Sequence, residues 1–137
     1  MATRSTIALE FADGSIGQVY CHWDGYLSNN GKILLEHYSN PSKLQKLIDL
    51  GDLSQLGCEI GEKHDFDAAT EGICKFYGRD RGEEGTTARY FENFKDYKVN
   101  VEAEEYNYIL RNNGNWYVNL DGTSYKKLTP SLIAKKG

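Results

Sequence analysis

Of the chain's 137 residues only three are cysteine and two are proline, and no apolar run approaches the length needed to span a membrane. The cysteines, Cys21, Cys58 and Cys74, are odd in number and none are paired as CxxC, which argues against a disulfide framework or a zinc knuckle. Cys21 and Cys74 fall in apolar, strand-like runs and read as small core residues. A secretory leader is not evident, because the opening Met1-Ala2-Thr3-Arg4-Ser5-Thr6 has no long apolar stretch after its arginine. The chain is therefore expected to stay in the cytoplasm, with no membrane partner. A basic footprint is lacking as well. The formal net charge is −4, and a nucleic-acid polymer is not an expected partner. The acidic excess is also too slight, and too mixed with Lys and Arg, for a DNA mimic. GxSxG and HExxH are both absent, and no metal or cofactor is expected.

What is plentiful is aromatic. Ten tyrosines and two tryptophans exceed what a chain of this size needs for its core, and they suit a large sheet or a binding surface. With 39% apolar residues spread along its length, the chain reads as one packed domain over residues 1–137.

Period-two alternation marks two hairpins. In the first, Ile7, Leu9 and Phe11 share one face, Asp13-Gly14 makes the turn, and the returning strand points Val19, Cys21 and Trp23 at the core. Tyr20, His22 and Asp24 then share its other face. In the second, Tyr106, Tyr108 and Leu110 alternate up to Asn112-Asn113-Gly114, and Trp116, Val118 and Leu120 return. Between them lie helical patterns. Ser28 or Asn29 can cap a helix through Tyr38. Asn40 and Pro41 open a second with the stripe Leu44, Leu47, Ile48, which Gly51 closes. Asp52 to Gly57 reads as a short extra turn, Gly57 to Gly72 as an irregular loop, Ile73 to Tyr77 as a strand and Gly78 to Gly85 as a polar loop. Thr86 to Tyr97 fits a helix or a strand. Thr129-Pro130 can cap a last helical turn. The sum is an α+β domain, an antiparallel sheet of about five strands with helices packed on one face.

Four polar or aromatic groupings are candidate sites. Tyr20, His22, Asp24 and Tyr26 cluster about the end of the second strand, where a His–Asp pair can orient an imidazole; the alternative is a hydrogen-bond network that fixes the turn at Gly25. His64, Asp65 and Asp67, with His22, Asp24 and His37, offer nitrogen and oxygen ligands but no strict metal spacing, so a capped or salt-bridged loop is the plainer reading. Arg79 and Arg81 lie between Gly78 and Gly82, a setting in which guanidinium forks and glycine backbone can hold phosphate or carboxylate. Asp80, Glu83 and Glu84 can instead pair with them internally. No Walker lysine follows, so this is not a P-loop. Arg4, Lys63 and Arg89 would join the arginines if the fold gathers them. Tyrosines facing out of a sheet, Tyr20, Tyr26 and Tyr77 among them, can stack a nucleobase. Glu104 and Glu105, being adjacent, point to opposite faces and cannot act as a carboxylate pair.

The blocks Thr3-Arg4-Ser5-Thr6-Ile7-Ala8, Val19-Tyr20-Cys21-His22-Trp23-Asp24-Gly25-Tyr26, Gly61-Glu62-Lys63-His64-Asp65-Phe66-Asp67, Phe76-Tyr77-Gly78-Arg79-Asp80-Arg81-Gly82-Glu83 and Glu105-Tyr106-Asn107-Tyr108 resemble a family of small phage-encoded accessory proteins of uncharacterised function. The resemblance covers nearly the whole chain. It implies a phage setting, with action in the host cytoplasm and interference with host defence, and it supplies no reaction. The residues themselves add a leading expectation of binding without turnover. A small phosphorylated or nucleotide-like ligand would be held by Arg79, Arg81 and Arg4 or Lys63, stacked by Tyr20, Tyr26 or Tyr77 and oriented by His22 and Asp24, with His64 a further ligand-binding residue. The alternatives are an inhibitor that docks directly on a host protein, and a small hydrolase that uses His22 or His64 with nearby aspartates. Homo-oligomerisation stays open.

Overall fold

The computed structural model describes residues 3–63, 65–67, 71–120 and 124–136. The first hairpin forms as its alternation requires. β1 (Ser5–Glu10) and β2 (Ile16–Cys21) pair antiparallel, Ile7 opposite Val19 and Thr6 opposite Tyr20. Asp13 closes the turn by accepting from Ser15 N at 2.9 Å, and Gly14 takes the left-handed conformation the turn demands. A π-helical turn (Leu27–Gly31) runs into α1 (Lys32–His37) without a side-chain cap, so neither Ser28 nor Asn29 plays the part expected of it. α2 (Pro41–Leu50) matches its signals. Asn40 Oδ1 accepts from Ser42 N at 2.9 Å, Leu44, Leu47 and Ile48 are buried, and Gly51 ends the helix with positive φ.

The segment after α2 departs from expectation. In place of a helical turn it forms β3 (Leu53–Gln55), which pairs parallel to β2 and antiparallel to β4 (Lys75–Phe76). α3 (Tyr77–Arg81) replaces the expected polar loop and ends at left-handed Gly82. The ambiguous stretch holds both candidates, β5 (Arg89–Phe91) and then α4 (Phe94–Asn100), capped by Asn93 Oδ1 accepting from Asp96 N at 2.8 Å. The second hairpin, β6 (Tyr106–Leu110) and β7 (Trp116–Asn119), is followed by β8 (Lys126–Lys127) and α5 (Pro130–Lys136). Thr129 Oγ1 accepts from Leu132 N at 3.1 Å at the start of α5.

These strands make one mixed sheet in the order β4-β3-β2-β1-β6-β7-β8, with β5 on the same edge of β2 as β3. The α+β class therefore stands, but a purely antiparallel sheet of about five strands does not. β1 and β6 run parallel, as do β2 and β3. Period-two alternation fixes which face a side chain takes but not the direction of its neighbour, and strands of two or three residues are too short to show a period.

Helices on one face is a second correction. Ile7, Leu9, Val19, Cys21, Tyr108, Leu110, Trp116 and Val118 build the main core with Leu34, Leu44, Leu47 and Ile48, and Leu132 and Ile133 of α5 pack against it. On the opposite face α4 contributes Tyr97 to a smaller core with Ala8, Ile16 and Ile109. Trp23, expected inside, is 42% exposed. The alternation stops at Cys21, because His22 N and Trp23 N donate to Leu53 O and Ser54 O and left-handed Asp24 then turns the chain. Among the described residues no helix is long and apolar enough to cross a membrane.

Burial pushes the phenols of Tyr38, Tyr97 and Tyr108 well above the ordinary tyrosine value, and pushes the Cys21 thiol up to about 12. These groups keep their protons in the folded state at a pH where the unfolded chain loses them, so unfolding releases protons and stability falls as pH rises. The urea midpoint is expected to hold from neutral pH to about 8 and to fall steadily from about 9 upward; a midpoint unchanged at strongly alkaline pH would contradict this. Cys21 and Cys74 are fully buried whereas Cys58 is partly exposed. A thiol reagent at mildly alkaline pH should modify Cys58 alone in the native protein and all three cysteines in urea. Rapid native modification of Cys21 or Cys74 would show the core to be open.

Candidate functional site

The face of the sheet opposite the main core is polar over half its width. Register places Tyr20, Thr6, Asn107 and Asn119 side by side across β2, β1, β6 and β7. The next row begins with Arg89 of β5 and Gln18 of β2 and continues through Ala8 and Ile109. α4 covers the apolar end of this face and leaves the polar end open, and two clefts occupy what remains.

The first cleft, about 400 Å3, is lined by Arg4, Thr6, Gln18, Tyr20, Arg89, Glu102 and Glu104. Gln18 is 2% exposed and its Oε1 has no hydrogen-bond partner. A buried amide without a partner costs about 1–3 kcal/mol, which makes it an exception that calls for a physical reason. Arg89 is fixed by a two-pronged contact with Asp52, Nη1 to Oδ1 at 3.0 Å and Nη2 to Oδ2 at 3.1 Å. Asp52 Oδ1 also accepts from Tyr20 N at 2.8 Å. No ion pair among the described residues engages Arg4, Glu102 or Glu104. Burial raises the Tyr20 phenol above its ordinary value against the pull of Arg4, and Glu104 adds to the rise. Tyr20 Oη lies 2.7 Å from His22 Nδ1. Which of the two atoms donates depends on the tautomer of the imidazole.

The second cleft, about 510 Å3, lies between α4 and the β6–β7 hairpin. Phe94, Tyr117 and Tyr125 are among its walls, Asn107 and Asn119 are on its floor, and Lys98 and Arg111 are its cations. Arg111 stacks 3.7 Å from the Phe94 ring centroid and donates to Glu10 Oε1 at 2.8 Å.

The strap between α4 and β6 separates the clefts. Val101 and Ala103 face the second, and Glu102 and Glu104 face the first. Asn107 pins this strap. Its Oδ1 accepts from Glu104 N at 2.9 Å and its Nδ2 donates to Glu104 O at 2.8 Å, while Thr6 Oγ1 donates to the same Oδ1 at 2.9 Å.

Of the residues singled out from the sequence, Arg4, Tyr20 and Arg89 meet in the first cleft, and His22 supports Tyr20 from its edge. Tyr77 stands close enough for its charge to oppose ionisation of Tyr20. Asp24 does not pair with His22; its carbonyl accepts from Asn30 N and Asn29 Nδ2, which is the turn-fixing alternative. Tyr26 is exposed beyond that turn and lines neither cleft.

Arg79 is the chief departure. Its Nε and Nη2 donate to Asp80 at 3.0 and 3.2 Å, Nη1 donates to Ile60 O and Gly61 O, and Nη2 also donates to Cys74 O. All five guanidinium hydrogens are thus engaged within the protein, leaving none for an anion. Arg81 lies apart, more than half exposed, 3.7 Å from Glu83 and over the rings of Phe66 and Tyr77. His64 lies outside the described residues. Among those described, no three His, Cys, Asp or Glu residues gather closely enough to hold a metal ion.

Gln18, Thr6, Glu102 and Glu104 were not foreseen as site residues. The first two share the face of Tyr20 by simple alternation, a signal present in the sequence; the carboxylates reach the cleft from a strap outside any regular element, too short for its alternation to be read from the sequence. No protein-family model matches the chain, and no curated protein or solved structure is significantly similar to it.

The two arginines should separate cleanly by mutation. Arg79→Ala takes a donor from three carbonyls and the counter-charge from the Asp80 carboxylate, and should cost about 2–4 kcal/mol in urea unfolding. Arg4→Ala removes an exposed side chain and should stay within about 0.5 kcal/mol of the parent. Equal losses for the two would contradict the structural role of Arg79.

Proposed function

We propose that the protein acts by binding rather than turnover, taking a small phosphorylated, nucleotide-like ligand in the cleft of Arg4, Gln18, Tyr20 and Arg89. In the phage setting that its sequence blocks resemble, such a protein would sequester a host defence signal in the cytoplasm. The observation that carries the reading is Gln18, a buried carboxamide with an unpartnered oxygen in a cleft that also presents two guanidinium groups and a phenol. Ligand pockets commonly combine a volume of about 300–1,000 Å3 with a few convergent polar groups, and this cleft falls within that range. Arg4, free of ion pairs and at the rim, would meet the phosphate. Arg89, anchored by Asp52, would supply fixed positive charge, and the Tyr20 ring would stack the base. Arg79 and Arg81 have no part in this version, and neither does a hydrolytic role for His22, whose Nδ1 is engaged by Tyr20.

A second reading, direct inhibition of a host protein, is favoured by one observation. Trp23 and Tyr26, both exposed, flank the same turn, and exposed aromatic residues are common interface anchors.

Titration calorimetry of the purified chain with nucleoside monophosphates and cyclic nucleotides, paired with native mass spectrometry, tests the first reading. Saturable binding at one site is expected, weakened about tenfold or more by Arg4→Ala at unchanged melting temperature. An absence of heat with every nucleotide, together with a host polypeptide that copurifies and is lost in Trp23→Ala, would replace the first reading with the second.

A further inference from the structure

The cleft is not simply a phosphate cradle, because Glu102 and Glu104 face the same space as Arg4 and Arg89. Counting Asp52, which neutralises Arg89, this neighbourhood holds more acidic groups than basic ones. A ligand that was only an anion would meet repulsion from two carboxylates. The ligand must therefore carry hydrogen-bond donors as well as a negative group. Gln18 can turn its amide to offer either a donor or an acceptor, but an ionised carboxylate can only accept. The strap carboxylates thus decide which edge of a base can be read.

Resting on the binding reading above, we infer that the cleft selects a base with adjacent N–H donors on one edge, as guanine has in its ring N–H and exocyclic amine. Glu104 is half-buried and its backbone is pinned on both sides by Asn107, which keeps its side chain on the lining of this cleft. Glu102, two residues earlier and exposed, reaches the same cleft from further out. Gln18 Oε1 takes a further donor or, turned over, gives one to the base carbonyl. Adenine offers one exocyclic amine beside a ring nitrogen that accepts, and that nitrogen would face a carboxylate unfavourably. The phosphate end lies toward Arg4, so the ligand satisfies both signs of charge at once.

The test compares guanosine, inosine and adenosine monophosphates by titration calorimetry against the full chain. Inosine monophosphate differs from the guanine nucleotide by loss of the exocyclic amine alone. A donor lost opposite a carboxylate should weaken binding about tenfold or more. Glu104→Gln, which keeps the shape but loses the charge, should bring the guanine and inosine nucleotides to within a few-fold of each other. If that variant melts early, Glu102→Gln on the exposed part of the strap serves as the second probe, and the comparison in the parent chain needs no variant. Equal affinity for all three nucleotides would overturn the base selectivity while leaving nucleotide binding in place. No binding of any of the three would also overturn the guanine selectivity, and an absence of heat with the cyclic nucleotides as well would remove the binding reading itself.

Discussion

Asp52 is the residue on which the open face depends. It stands just beyond Gly51, which ends α2, and its backbone and carboxylate together tie several elements. Its amide donates to Thr86 O at 2.7 Å, its carbonyl accepts from Tyr77 N at 3.2 Å, and its carboxylate accepts from Tyr20 N and from both terminal nitrogens of Arg89. The side chain thereby ties β2 to β5, and the backbone of the same residue ties the start of α3 and the loop before β5. The glycine before it makes this possible, because a Cβ at Gly51 would collide with the Thr86 carbonyl. Arg89 owes its direction to this arrangement, and Tyr20 its backbone position. The cleft is thus built by the fold at a point far in sequence from most of its lining.

Much of the frame was legible in the residues. Alternation located both hairpins and chose the correct inward faces for Ile7, Leu9, Tyr108 and Val118, because one face of each strand had to be buried. The caps at Asn40 and Thr129 and the stop at Gly51 are local chemistry, and local chemistry is readable. What failed was non-local. The parallel partnership of β1 and β6 is set by how the long intervening chain packs, and β3, β4 and β8 exist only because longer strands offered them an edge. At the first cleft, the face taken by Tyr20 was legible from alternation, whereas Arg4 was named only as a companion of Arg79 and Arg81, neither of which lines that cleft. Arg79 misled because its motif looks the same whether the guanidinium meets an external anion or the carbonyls of Ile60, Gly61 and Cys74.

The two ends of the open face differ in how charge is handled. Near α4, Arg111 is matched to Glu10 and stacked on Phe94, so its charge is largely satisfied within the protein. Near β5, Arg4, Glu102 and Glu104 stay apart with no ion pair among them. Leaving opposite charges unjoined across a cleft forgoes a small stabilisation, since exposed pairs contribute only about 0–1 kcal/mol. The same arrangement leaves those groups available to something from outside, and Gln18 lies buried beneath them with its oxygen unmatched.

The strap between the clefts alternates its side chains, Val101 and Ala103 to one side, Glu102 and Glu104 to the other, and its position is held by the single carboxamide of Asn107. Such a segment works like a two-sided ruler laid across the sheet. Advancing it by one residue would move both carboxylates into the aromatic cleft and put small apolar groups where the acids had been. The chemical character of each cleft is therefore encoded in the parity of the strap, and an insertion or deletion of one residue between α4 and Asn107 would exchange the two while altering no residue of the sheet beneath.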